Sequence, residues 1–234
     1  MADTDVTAEA IVADAEAAAE TLQQVKAEIA KAVFGQERVV ELSLAAVLAG
    51  GHALLIGAPG LAKTRLVEAM GTALGLTNQR IQFTPDLMPS DILGSEVLDE
   101  SASGQRTFRF LRGPIFTQLL MADEINRASP RTQSALLQAM QERHVTVAGV
   151  RHDLPAPFHV LATQNPIEQE GTYPLPEAQL DRFLLRVDIP YPKREAERAV
   201  LLATTGAEQA EAIEVLNADE ILKLQSLVRR LWFR

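Results

Sequence analysis

The chain of 234 residues contains no cysteine, one tryptophan and 5% aromatic residues overall. Without cysteine it can form no disulfide, thiolate metal site, iron–sulfur cluster or cysteine nucleophile. That fits the cytoplasm. No apolar run approaches the roughly 18 residues that a membrane-spanning helix needs, so no membrane span is expected. The N-terminus has no basic segment followed by an apolar stretch, and so no signal peptide is read there. Basic residues are also missing from positions 1–25, which carry Asp3, Asp5, Glu9, Asp14, Glu16 and Glu20. Those six acids account for most of the net charge of −9, and the remaining body is nearly balanced. A globally basic surface is therefore absent, which argues against a nucleic-acid partner.

Hydrophobic residues make up 47% of the chain, enough for a buried core. Residues 8–33 are Ala-rich and predict a helix, with Thr7 as a candidate N-cap. A second helix is predicted over Gln36–Ala49, ended by Gly50 and Gly51. Ala53–Ile56 is a short apolar run before a Gly-rich turn, which reads as a buried strand. Helical spacing resumes over Lys63–Leu74. Further strands are predicted at Arg80–Phe83, Gln118–Ala122, Phe158–Thr163 and Leu184–Ile189, with a helix over Thr132–Glu142. This alternation predicts an α/β fold: a five-stranded parallel sheet covered by helices on both faces. Past Pro190-Tyr191-Pro192 the pattern becomes helical only, over Lys193–Thr204 and Ala218–Leu231.

The chemistry is concentrated in two segments. Gly57-Ala58-Pro59-Gly60-Leu61-Ala62-Lys63-Thr64 follows a predicted strand and opens a predicted helix. Backbone N–H groups in such a loop wrap phosphates, and the helix N-terminus adds positive potential. Lys63 is expected on the β- and γ-phosphates of ATP, and the Thr64 hydroxyl on Mg²⁺. The strict pattern has Gly where Ala62 stands. A residue in the first helical turn needs no positive φ, so Ala is expected to be tolerated. The second segment, Leu119–Glu124, is an apolar strand ending in two carboxylates. Asp123 is expected to hold Mg²⁺, mostly through water, and Glu124 to polarise the attacking water. Asn165 follows the next strand. Its amide either orients that water or simply forms an Asn-Pro turn.

Together with Ala122–Ala128, Ala162–Pro166 and Leu175–Phe183, these segments resemble the signatures of the MoxR family of AAA+ ATPases. The likeness runs from about Phe34 to the C-terminus, and Ala62 resembles the family's usual loop. It implies an AAA+ P-loop core over residues 34–190, preceded by an acidic N-terminal helix (1–33) and followed by the beginning of a small helical lid (191–234). Residues 94–116 match the helix-2 insert. Phe34, Gly35 and Gln36 match the segment near the adenine, and Asn165 matches the first sensor. Arg182 matches the arginine finger that acts on a neighbour's ATP; the alternative is a salt bridge to Asp181 or Glu177. A finger in trans implies a homo-oligomeric ring, typically a hexamer. The resemblance further implies chaperone-like remodelling in maturation or metal insertion, with a partner bearing a von Willebrand A domain. No residue points to a particular client. A magnesium-chelatase-like motor subunit and a nucleotide-gated scaffold share the same core and stay as alternatives. The chain ends at Leu231-Trp232-Phe233-Arg234 with no assignable second sensor. This predicts a shortened lid, with hydrolysis and ring assembly weakened.

Within the insert, Ser101–Gly104 is a plausible hairpin turn between Glu96–Asp99 and Thr107–Leu111. Arg106, Phe108, Phe110 and Arg112 share one strand face. The two Phe side chains are expected to pack inward. A second hairpin is predicted within Glu142–Arg151 and the stretch that follows. Arg127 and Arg131 are expected to face the next subunit. The four histidines lack metal spacing, so no transition-metal site is expected.

Overall fold

The computed structural model describes residues 8–100, 106–166, 171–191, 194, 197, 198 and 211–232. Helix α1 (Ala8–Ala30) and helix α2 (Glu37–Leu48) precede strand β1 (Ala53–Ile56). Helix α3 (Lys63–Ala73), strand β2 (Asn78–Gln82) and the single turn α4 (Pro89–Leu93) follow. A hairpin of β3 (Gly94–Glu100) and β4 (Arg106–Arg112) leads to β5 (Leu119–Asp123), a 3₁₀ turn at Ile125–Arg127 and α5 (Pro130–Glu142). A second hairpin, β6 (His144–Val147) and β7 (Val150–Asp153), precedes β8 (His159–Gln164), α6 (Glu177–Leu180), β9 (Leu185–Asp188) and α7 (Ala218–Trp232).

The main sheet has five strands in the order β2-β5-β8-β1-β9, all parallel. Period-two alternation divides its side chains between two cores. Ala53, Leu55, Leu119, Met121 and Leu161 pack with α1, α2 and α3 on one face. Leu54, Leu120, Ala122, Val160 and Ala162 pack with α5 on the other. Apolar side chains on both faces are what a covered parallel sheet requires, and each full burial contributes roughly 1.5–3 kcal/mol. Ser129 caps α5 by accepting from the Thr132 N–H at 3.3 Å, with Pro130 at the first helical position. Among the described residues no helix is long and apolar enough to cross a membrane.

Strand β2 begins two residues earlier than Arg80–Phe83. Its limits follow its ladder with β5, Asn78↔Leu119 to Gln82↔Asp123, and not its own polar, edge-strand sequence. Helix α1 stops at Ala30, three residues short of the predicted end. Thr7, the turn Ser101–Gly104 and most of Lys193–Thr204 lie outside the described residues.

The two hairpins adjoin. Phe110 stacks on His152 with centroids 4.0 Å apart, and meets Phe116 edge-on at 5.7 Å. Phe108, expected to pack inward beside it, is instead 72% exposed. Both rings lie on the same face of β4, but the second hairpin covers only the Phe110 end.

The N-terminal ends of the sheet strands are closed by two neutral histidines. His52 Nδ1 accepts from the Val160 N–H at 2.9 Å, so Nε2 carries the proton toward the Met140 carbonyl at 3.3 Å. Burial pushes its pKa down to about 4. His159 Nδ1–H donates to the Gly51 carbonyl, and its Nε2 accepts from the Gln225 amide of α7. The same amide donates to the Val47 carbonyl at 2.8 Å. Helix α7 is thereby docked at the end of the sheet opposite the loop that follows β1.

Candidate nucleotide site

At the C-terminal ends of β1 and β5 the chain leaves the sheet in two left-handed turns, and these shape the site. After Ile56 the backbone passes close under Ile189: a Cβ on Gly57 would lie 2.9 Å from the Ile189 Cβ. Gly60 takes φ 82°, a region that favours glycine. Ala62 also takes a positive φ, 55°, as the residue just before α3. This corrects the expectation that a first-turn helical residue stands here. The position is left-handed, and the absent glycine is a real conformational cost of roughly 1–2 kcal/mol. Ala62→Gly should therefore raise stability by up to about 1 kcal/mol in urea unfolding, the gain being reduced by glycine's greater freedom in the unfolded chain. A loss of stability in that variant would contradict this account of the loop.

Lys63 opens α3 and is only 8% exposed. Its Nζ donates to the Gly57 carbonyl at 2.8 Å, folding the side chain back over the loop. Burial pushes its pKa down, while the nearby Asp123 and Glu124 carboxylates oppose that shift. Gln36 braces the loop from below: its amide donates to the Leu61 carbonyl at 2.9 Å.

Asp123 ends a strand whose five residues are all buried. Its Oδ1 accepts from the Thr163 hydroxyl at 2.6 Å, and that hydroxyl oxygen accepts from the Glu124 N–H at 2.9 Å. Its Oδ2 accepts from Arg80, at 2.6 Å from Nη2 and 3.2 Å from Nε. Glu124 takes φ 54°, which turns the second carboxylate back toward the first. Without that turn, adjacent strand residues would point to opposite faces. Glu124 Oε2 accepts from the Gln82 amide at 2.9 Å and from Arg127 Nη1 at 3.0 Å. Arg127 is thus paired with Glu124 within its own chain and stays partly exposed.

One cavity of about 830 Å³ gathers Gln36, Pro59, Gly60, Leu61, Ala62, Lys63, Thr64, Asp123 and Glu124, with Phe34, Arg65, Arg80, Gln82, Tyr191 and Glu197. That volume lies in the range of small-molecule sites. Gly35, Gly57 and Ala58 shape its walls from behind without lining it: Gly35 supplies a turn with φ 68°, and Ala58 is buried in the core. Asn165 is 5% exposed and lines a separate cavity of about 230 Å³ with Asn126, Gln164 and Arg186. Strand β8 does lie beside β5, as expected of the strand that Asn165 follows. Arg182 lines a third cleft, of about 310 Å³, and donates to the Leu137 carbonyl at 3.0 Å. That bond takes the place of the salt bridge to Asp181 or Glu177 considered from sequence.

The donor set suits a hard divalent cation. Asp123 already carries a cation, the Arg80 guanidinium, on one carboxylate oxygen, and the Thr64 hydroxyl lines the same cavity. One carboxylate, a hydroxyl and substrate phosphates are the oxygen ligands that Mg²⁺ takes. Sequence reasoning missed Arg80, Gln82 and Thr163. They lie about forty residues from the carboxylates that they hold. Only the strand register brings them there, and no local motif announces it.

Residues 52–185 match the model of the ATPase family associated with various cellular activities (AAA). The chain is 45% identical over 207 residues to a protein named Chaperone MoxR1 from Mycobacterium tuberculosis, covering 88% of this chain and 54% of that one. It is 35% identical over 180 residues to Protein MoxR of Methylorubrum extorquens, covering 75% and 51%. The crystal structure of a candidate ATPase from Cytophaga hutchinsonii superimposes with a TM-score of 0.80 at 40% identity, covering 88% of this chain and 62% of that one. The chain thus spans about half the length of these curated relatives.

Proposed function

Because the chain belongs to the MoxR family of AAA+ ATPases, we propose that its 830 Å³ cavity binds Mg-ATP and hydrolyses it to ADP and phosphate. The observation that carries this reading is the convergence of Lys63, Thr64, Asp123 and Glu124 on that one cavity, from the ends of two strands separated in the sheet only by β8. The loop N–H groups and Lys63 Nζ cradle the β- and γ-phosphates. Thr64 and Asp123 would hold Mg²⁺, which neutralises charge on the phosphate oxygens. Phe34, Gln36 and Tyr191 offer the surface for the base. Glu124 takes a proton from water as the water oxygen bonds to the γ-phosphorus. The bond from that phosphorus to the bridging oxygen breaks, and the electron pair leaves on ADP.

Asn165 orients the water from the neighbouring strand end, and Arg182 serves the site of an adjacent subunit. The Arg182 role implies a homo-oligomeric ring, for which a hexamer is the proposed size. Residues 34–190 form the core in this reading, 1–33 a flanking acidic helix and 191–234 the first part of the lid. The ring acts in the cytoplasm as a chaperone-like remodeller. It matures partner proteins or inserts their metal, alongside a protein with a von Willebrand A domain. The relative named as a chaperone supports the remodelling part of this proposal.

Lys63→Ala tests the binding step. The ammonium's charged hydrogen bonds contribute about 1.5–3 kcal/mol, so affinity for a fluorescent ATP analogue should fall at least about tenfold. Parent-like binding by that variant would sink the proposal.

A further inference from the structure

Strand β2 is an edge strand with one buried side chain, Ile81, and polar residues elsewhere. Its register with β5 sets Gln82 level with Asp123 and Arg80 two residues behind. From there the Arg80 side chain runs forward along the strand. Both Nη2 and Nε point at one oxygen, Oδ2 of Asp123, and Nη2 also donates to Gln82 Oε1 at 3.1 Å. The other oxygen, Oδ1, is occupied by Thr163. Both oxygens of Asp123 are thus engaged, Oδ1 by one hydroxyl and Oδ2 by two guanidinium N–H groups, so a metal that takes Oδ2 must displace Arg80.

The charges explain why a cation belongs there. Asp123 is 7% exposed and adjoins a second carboxylate, while Lys63 is the buried ammonium that faces them. Glu124 is half-buried and has Arg127 as its own partner, so the cation that pairs directly with the buried Asp123 carboxylate is Arg80. Without a partner that charge would be costly away from water. Fold architecture does not require the pair, since five backbone register positions and the Phe83 N–H to Asp123 carbonyl bond at 2.8 Å already join β2 to β5. The arginine side chain is 49% exposed, so it has room to leave.

We propose that Arg80 is a resident counter-cation of the metal-free site. It competes with Mg²⁺ for Asp123, so that metal loading is an exchange of cations at one carboxylate oxygen. This rests on the Mg-ATP reading. Arg80 is here a positioning residue: it holds Asp123 toward the cavity while no metal is bound and cedes the oxygen on loading.

The test is a calorimetric titration of Mg²⁺ into protein saturated with ADP, with the parent, Arg80→Gln and Arg80→Lys. Removing a competing pair of about 1 kcal/mol should tighten metal binding about fivefold in Arg80→Gln. Arg80→Lys, which keeps the charge but not the fork, should fall between the other two. Without metal or nucleotide, Arg80→Gln should melt below the parent, and Mg-ADP should close the gap. Metal affinity in Arg80→Gln equal to or weaker than the parent's would overturn the proposal and leave the nucleotide reading standing. A parent that bound no ADP would overturn the nucleotide reading, and this proposal with it.

Discussion

Arg182→Ala should lower ATP turnover by about 10³–10⁵, the range associated with removing an arginine finger, while leaving nucleotide affinity near the parent's. The geometry behind this is one of separation. Arg182 follows α6 and donates to the Leu137 carbonyl of α5. It lines a cleft with Ser134, Gln138, Gln141, Glu142 and Gln179, and has no place in the cavity of Lys63 and Glu124. A side chain so placed stabilises transition-state charge only by reaching the phosphates of another copy. Turnover per chain should then rise with protein concentration. Mixing Arg182→Ala with Lys63→Ala, each inactive alone, should restore part of the activity. In mixed rings an intact Lys63 site meets an intact Arg182 across some boundaries. Two outcomes would refute the role in trans: parent-like turnover by Arg182→Ala, or no recovery on mixing.

Glu124→Gln should cost about 10²–10⁴ in turnover, the usual contribution of a positioned general base, with binding retained. The variant amide is isosteric and can still bond Gln82 and occupy the turn at φ 54°, but it cannot accept a proton from water. Asp123, with its Thr163 and Arg80 partners, is untouched by the change. The expected signature is tight, slowly hydrolysed ATP and a more persistent oligomer, seen in single-turnover assays and by sedimentation. Loss of ATP binding in Glu124→Gln would show that the carboxylate holds the loop or Arg127 in shape and is not the base.

The two segments that carry the chemistry were legible because their information is local. A strand, a Gly-rich loop and a helix opening on Lys63-Thr64 occur in one continuous stretch, and the apolar run ending at Asp123-Glu124 occurs in another. Both hairpins were readable from turn composition and alternation. Phe108 was misread because periodicity places it with Phe110 but cannot say where the second hairpin ends. Ala62 was misread because helix pattern reports spacing and not the dihedral of the residue before the helix. Arg182 stayed ambiguous, since its neighbours Asp181 and Glu177 are as near in sequence as Leu137 is in space.

By itself, the sequence determined the class of fold, the phosphate loop, the paired carboxylates and the absence of cysteine chemistry. Each of these depends on residue type and short-range period. Tertiary structure alone decided the order β2-β5-β8-β1-β9, the cation on Asp123, and the Gln82 and Arg127 bonds that hold Glu124. It also decided that Asn165 opens on a neighbouring cavity and that α7 docks at the far end of the sheet through Gln225 and His159. Nearly all of these depend on register between segments far apart in the chain. Burial and backbone pairing set that register only when the whole sheet is assembled.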